Sequence, residues 1–112
     1  MKYFVNNDQR KGTCYHEFYK GIWDEHTFWA SDSLCLHDDV LFEAVVFTEA
    51  ISALLPAYNP FGETEVYPEH WKQLGERLSK TKDKLAMELY SEADEWVQST
   101  FKTHGCFTII GI

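Results

Sequence analysis

The chain has 112 residues, 45% apolar and 25% charged, with 18 acidic and 10 basic side chains and a formal net charge of −8. That length holds one domain around one core, and the composition is globular rather than disordered or fibrous. The acid excess argues against direct nucleic-acid binding, which needs clustered Lys and Arg, and three cysteines argue against the disulfide framework of a small secreted module.

Residues 2–5, KYFV, read as a short strand, and NNDQRKG as a polar loop with turn residues. Only Tyr3, Phe4 and Val5 separate Lys2 from this polar run, too few apolar residues for a signal peptide. Residues 14–29 carry conflicting signals. Tyr15, Phe18, Tyr19, Ile22 and Trp23 fall at helical spacing after a possible cap at Thr13, whereas the aromatic content and Gly21 favour strand. The spacing predicts a helix. ASDSLCLH, residues 30–37, reads as a loop or a short strand.

Residues 39–55 are predicted as a central, mostly buried helix, started by Asp38 or Asp39 and ended by Pro56. Twelve of the sixteen residues from Val40 to Leu55 are apolar, but Glu43, Glu49 and the short length rule out a membrane span. PAYNPFGETEVY then reads as a loop that exposes Glu63 and Glu65. Pro68 suits the first turn of a helix. Trp71, Leu74, Leu78, Leu85, Leu89, Ala93, Trp96, Val97 and Phe101 keep helical spacing to about residue 103. One helix of that length is unusual in a globular domain, so a break is predicted within SKTKD, residues 79–83. Gly105 fits a cap after it. CFTIIGI reads as a buried strand that pairs with the N-terminal one. The expected fold is α+β: a helix-dominated single domain, residues 1–112, with a small sheet formed by the N- and C-terminal strands. Cysteine usage and the lack of targeting signals predict a cytoplasmic protein with free thiols.

The charge is uneven along the chain. Residues 1–20 carry +2 and residues 71–112 carry 0. Residues 21–70 contain no Lys or Arg and hold Asp24, Glu25, Asp32, Asp38, Asp39, Glu43, Glu49, Glu63, Glu65 and Glu69, a charge of −10. Aromatic residues cluster in and beside this stretch: Tyr15, Phe18, Tyr19, Trp23, Phe28 and Trp29, then Tyr58, Phe61, Tyr67 and Trp71. Carboxylates steer a basic partner and aromatic rings supply tight contacts, so the pattern suits a surface for a basic protein. The same rings would also serve a core. The residues singled out for partner contact are Trp23, Asp24, Glu25 and Trp29 in one patch, and Phe61, Glu63, Glu65 and Tyr67 in the other.

Other chemistry is weaker. Cys14 with His16, Cys35 with His37, and Cys106 with His104 are spaced so that each pair could offer zinc a thiolate and an imidazole, though zinc sites favour longer spacings. His16–Glu17 begins like a zinc-protease helix, but Lys20 stands where the second histidine belongs. Asp24–Glu25–His26 places carboxyls beside an imidazole, yet adjacent side chains diverge. The run Lys72, Arg77, Lys80, Lys82, Lys84 is interrupted by Glu76 and Asp83 and reads as a solvated helix face.

A small, acidic, aromatic-rich domain of this kind resembles bacterial immunity proteins, including those of contact-dependent growth inhibition systems. The resemblance lies in general character along the chain, not in a motif, and assigns no residue a role. It implies a non-enzymatic inhibitor that occludes the active site of a basic toxin domain, often a nuclease, with no cofactor. The alternatives are a DNA-mimic or regulatory interaction protein, and a metal-dependent enzyme built on the Cys/His pairs.

Overall fold

The computed structural model describes residues 1–111. Along it run β1 (Phe4–Val5), β2 (Tyr15–Lys20), β3 (Leu34–His37), α1 (Asp38–Glu43), α2 (Val45–Leu54), β4 (Glu63–Val66), α3 (Pro68–Thr81), α4 (Lys84–Thr103) and β5 (Phe107–Ile110). The strands form one antiparallel sheet in the order β1-β3-β2-β5-β4. The fold is therefore α+β, as the sequence predicts. The predicted pairing of the terminal strands is corrected. β1 lies at one edge against β3, and β5 lies between β2 and β4. Two internal segments, β2 and β3, separate them. Ile112, the last residue of the predicted C-terminal strand, lies outside the described residues.

The helix predicted over residues 14–29 is also corrected: Tyr15–Lys20 is strand, and no regular element follows before Leu34. Tyr15, His16, Glu17 and Phe18 are all buried, because both faces of β2 are covered. A strand buried on both faces loses the polar–apolar alternation that identifies it, and its rings then mimic helical spacing. Gly21 ends it at φ +80°, where a side chain would be strained.

The single helix expected over residues 39–55 is two. Ala44 breaks it, with φ −85° and ψ 61°, and its N–H still reaches the carbonyls of Val40 and Leu41. Uniform apolarity hid this break, and the turn at Ala44 leaves Phe42 and Val45 exposed rather than buried. The loop expected over residues 56–67 contains the edge strand β4, whose four residues alternate exposed and buried. The break within residues 79–83 is where the sequence places it. Lys82 adopts a left-handed conformation, and the Asp83 carboxylate accepts from the Ala86 N–H to start α4. Gly105 is not the cap: α4 ends at Thr103, and His104 is already extended.

One face of the sheet presents Phe4, Leu34, Leu36, Phe18, Ile109, Phe107 and Val66 to Leu41, Phe47, Ile51, Trp71, Leu74, Leu78, Leu89 and Val97 of the helices. Each such side chain contributes about 1.5–3 kcal/mol on burial. Phe107 stacks on Phe18 at 5.2 Å and meets Trp71 and Trp96 edge-on, each at 5.7 Å. The Glu92 carboxylate, on α4, accepts the N–H groups of Lys2, Tyr3 and Phe4, each at 3.0 Å, and ties the two-residue edge strand to the helix layer.

Helices α3 and α4 approach closely at Gly75. The Tyr90 ring stacks on Trp71 at 4.3 Å, and its hydroxyl donates to the Trp71 carbonyl at 3.0 Å. A Cβ on Gly75 would lie 2.5 Å from the Tyr90 oxygen and 2.7 Å from its ring. Gly→Ala within a helix ordinarily stabilises by up to about 1 kcal/mol. Here Gly75→Ala is expected to destabilise instead, by about 1–2 kcal/mol in urea unfolding, because the stacked ring must move. A net gain in stability would show that the ring has room to yield.

Candidate partner-binding surface

Alternate residues of a strand face opposite sides, and cross-strand partners face the same side. Glu17 pairs with Cys35 and Ile110, and Ile110 pairs with Glu63. Tyr19 likewise aligns with Thr108, and Thr108 with Glu65. These residues form the outer face, away from the helices. Residues 22–33 pass over it. Glu17, only 1% exposed, anchors them: its carboxyl accepts the N–H groups of Trp29 at 2.8 Å and Ala30 at 2.9 Å, and the Ser33 hydroxyl at 2.6 Å. The Thr108 hydroxyl donates to the Gly21 carbonyl at 2.8 Å and holds the start of the loop.

The first predicted patch lies on this loop. Trp23 is half-buried, with its indole N–H on the Thr27 carbonyl at 2.6 Å and its ring edge-on to Phe28 at 5.2 Å. Asp24 folds back on its own turn and accepts from the His26 N–H, the Thr27 N–H and the Thr27 hydroxyl. Those bonds, the Thr27 hydroxyl first, hold its carboxyl down at about 2. Glu25 is exposed at φ 70° and Trp29 lies at φ 61°, both left-handed and strained for these residue types. The Arg10 guanidinium covers the Trp29 ring at 3.8 Å, so a cation of the chain already occupies that aromatic face. Lys20 reaches Asp32 at 4.0 Å.

The second patch divides. Glu63 and Glu65 are exposed on edge strand β4 and share the outer face with the loop, about 10 Å and two strands from Glu17 and its neighbours. Tyr67 joins them: its hydroxyl donates to Glu65 at 2.7 Å, which pushes the phenol up to about 12. Phe61 does not join them. It lines a separate groove of about 570 Å³ with His16, Asp38, Leu41, Phe42, Thr48 and Tyr58. His16 Nε2 lies 2.7 Å from Asp38 Oδ1 at its base. In the sequence Asp38 reads only as a helix start and one of the acidic stretch, not as a contact residue, and Phe42 is hidden in a helix read as buried.

The Cys/His pairs do not assemble. Cys14 is exposed while His16 is buried on Asp38. Cys35 is buried and its thiol is pushed up to about 11 by that burial, which disfavours a thiolate. His37 accepts the Asp39 N–H as the cap of α1, and Cys106 is buried while His104 is exposed. Among the described residues no three His, Cys, Asp or Glu side chains gather as metal ligands.

Three outcomes follow from the loop. Glu17→Ala is expected to cost about 3 kcal/mol and to open residues 22–33 to limited proteolysis, because buried donors lose their acceptor. Glu17→Gln should also destabilise, since its amide nitrogen would face a donor. The Asp24 carboxyl is depressed below its ordinary value of 3.8 to about 2, so its contribution to the loop is complete above 3.8 and lost as pH falls through 2. The Thr27 amide resonance should titrate with a midpoint near 2, and this titration should vanish in Asp24→Asn; a midpoint near 4 would exclude the bonded arrangement.

No protein-family model matches this chain, and no curated protein and no solved structure matches it.

Proposed function

We propose that the chain is a non-enzymatic inhibitor of the immunity type, which works in the cytoplasm and binds a basic toxin domain, a nuclease by preference, to occlude its active site. One observation carries this reading. Glu25, Glu63 and Glu65 are exposed, and among the described residues no ion pair joins them to a basic side chain. They flank a face that also carries Trp23, Phe28 and Tyr67. Carboxylates without a cationic partner, beside half-exposed rings, are what a basic surface can dock against. Free carboxylates also raise the encounter rate with a cationic partner, in proportion to how little salt screens them.

The DNA-mimic alternative needs carboxylates strung along an elongated body. The domain measures 36 × 28 × 24 Å, and Glu17, Asp24, Glu92 and Asp94 are engaged by its own groups. No helix among the described residues is long and apolar enough to cross a membrane.

The test is neutralisation of a toxin domain encoded beside the gene for this chain. Co-expression is expected to restore growth, with formation of a one-to-one complex. The triple variant Glu25→Gln, Glu63→Gln, Glu65→Gln, which leaves the bonded Asp24 intact, is expected to associate about tenfold more slowly at low salt, with a flatter salt dependence. An unchanged rate and salt slope would overturn the acidic-face mechanism, and absence of any neutralised toxin would overturn the function.

A further inference from the structure

We infer that the groove between α1, α2 and residues 58–61 is an anchor pocket for one arginine side chain of a basic partner, with Asp38 pairing its guanidinium. This rests on the inhibitory reading above and adds where the partner is gripped. The groove's volume of about 570 Å³ lies within the range of ligand sites, about 300–1,000 Å³. Its lip carries the two most exposed aromatic rings of the described residues, Phe42 at 82% and Phe61 at 77%.

The charge inside is one-sided. Asp38 gives one oxygen to His16, and its other oxygen has no partner among the described residues. The Thr48 hydroxyl donates to the Val45 carbonyl at 3.1 Å, so its oxygen is left to accept. Ser52 and Tyr58 add two more hydroxyls. His16 is 1% exposed and its Nδ1 has no hydrogen-bond partner. Its Nε2–H donates to Asp38 and holds that carboxylate in place at the groove. No Lys or Arg lines the groove, and none occurs anywhere in residues 21–70. Asp39 and Glu43, exposed on α1, add negative charge beside it.

A carboxylate between aromatic walls, with no Lys or Arg in the lining, selects a cation. Between the two basic side chains the walls decide. A guanidinium is planar, stacks on rings, is weakly hydrated and forks onto a carboxylate, whereas an ammonium is a compact and strongly hydrated charge. The chain shows the same pairing internally, where Arg10 lies flat on Trp29 at 3.8 Å. The groove offers the equivalent rings without a guanidinium of its own. Leu41 and Pro60 offer apolar surface for the aliphatic stem.

The probe is N-acetyl-arginine-N-methylamide, titrated into the intact protein and followed by NMR. Saturable shifts are expected at Phe42, Tyr58, Phe61 and His16, with weak affinity suited to a single side chain. The lysine analogue should bind several-fold more weakly, and the uncharged citrulline analogue should leave these signals unmoved. Asp38→Asn should weaken the arginine probe by about tenfold or more. Phe42→Ala and Phe61→Ala, both surface changes that leave the core intact, should each weaken it by about threefold. Absence of shifts, shifts elsewhere, or equal response to citrulline would overturn the pocket. The assay contains no partner protein, so its failure alongside intact toxin neutralisation would discard the pocket and leave the inhibitory function standing.

Discussion

Glu17 is buried at the centre of an antiparallel sheet, and a buried carboxyl is tolerated only where donors meet its oxygens. The donors here come from the loop, not from the sheet: two backbone N–H groups and a hydroxyl of residues 29–33. The strand and the loop therefore need each other. Without the loop the carboxyl would have to be solvated, and the outer face of β2 and β5 would lie open. Without the carboxyl the loop would lose what fixes the left-handed turn at Trp29. The sheet is covered by helices on one side and by this loop on the other, and the position of Trp23, Asp24 and Glu25 on the surface follows.

How far the amino-acid sequence disclosed this depends on whether an element has one face or two. α3 and α4 have one apolar stripe each, and both their extent and the break near Lys82 were legible. β2 has none, because Tyr15 and Glu17 face the loop while His16 and Phe18 face the helices, so its pattern resembled a helix. α1 and α2 are apolar nearly all round, which concealed the turn at Ala44 and the exposure of Phe42. β4 was legible only as a pair of exposed acids. In the candidate surface, the outward placement of Glu25, Glu63 and Glu65 was readable from charge alone. The grip of Thr27 on Asp24, the cover of Arg10 on Trp29 and the departure of Phe61 to another groove depend on contacts that spacing does not encode.

The acidic side chains fall into two populations. Glu17, Asp24, Asp83, Glu92 and Asp94 accept hydrogen bonds from the chain itself, at a loop, a turn, a helix start, an edge strand and an indole. Their charge is spent on architecture and offers little to a partner. Glu25, Glu63 and others like them point to water. A net charge therefore overstates the field available for recognition, and the exposed carboxylates without a basic partner, Glu25 on the loop with Glu63 and the Tyr67-bonded Glu65 on β4, are the meaningful remainder. On an edge strand they serve a second end: like charges along an open backbone edge discourage pairing with another copy.

The strand order has a kinetic consequence. Glu17 pairs with Ile110, 93 positions further along, and β4 joins the sheet only through β5. During synthesis β2 can pair with β3, but its other edge and the whole of β4 must wait for a strand made after both. Sheets held by such distant pairings fold slowly, because the chain is restricted before the contacts that reward it can form. Until β5 arrives, the apolar rows of β2 and the unpaired β4 lie exposed to other chains, so the newborn protein is at its most aggregation-prone just before its central pairing closes.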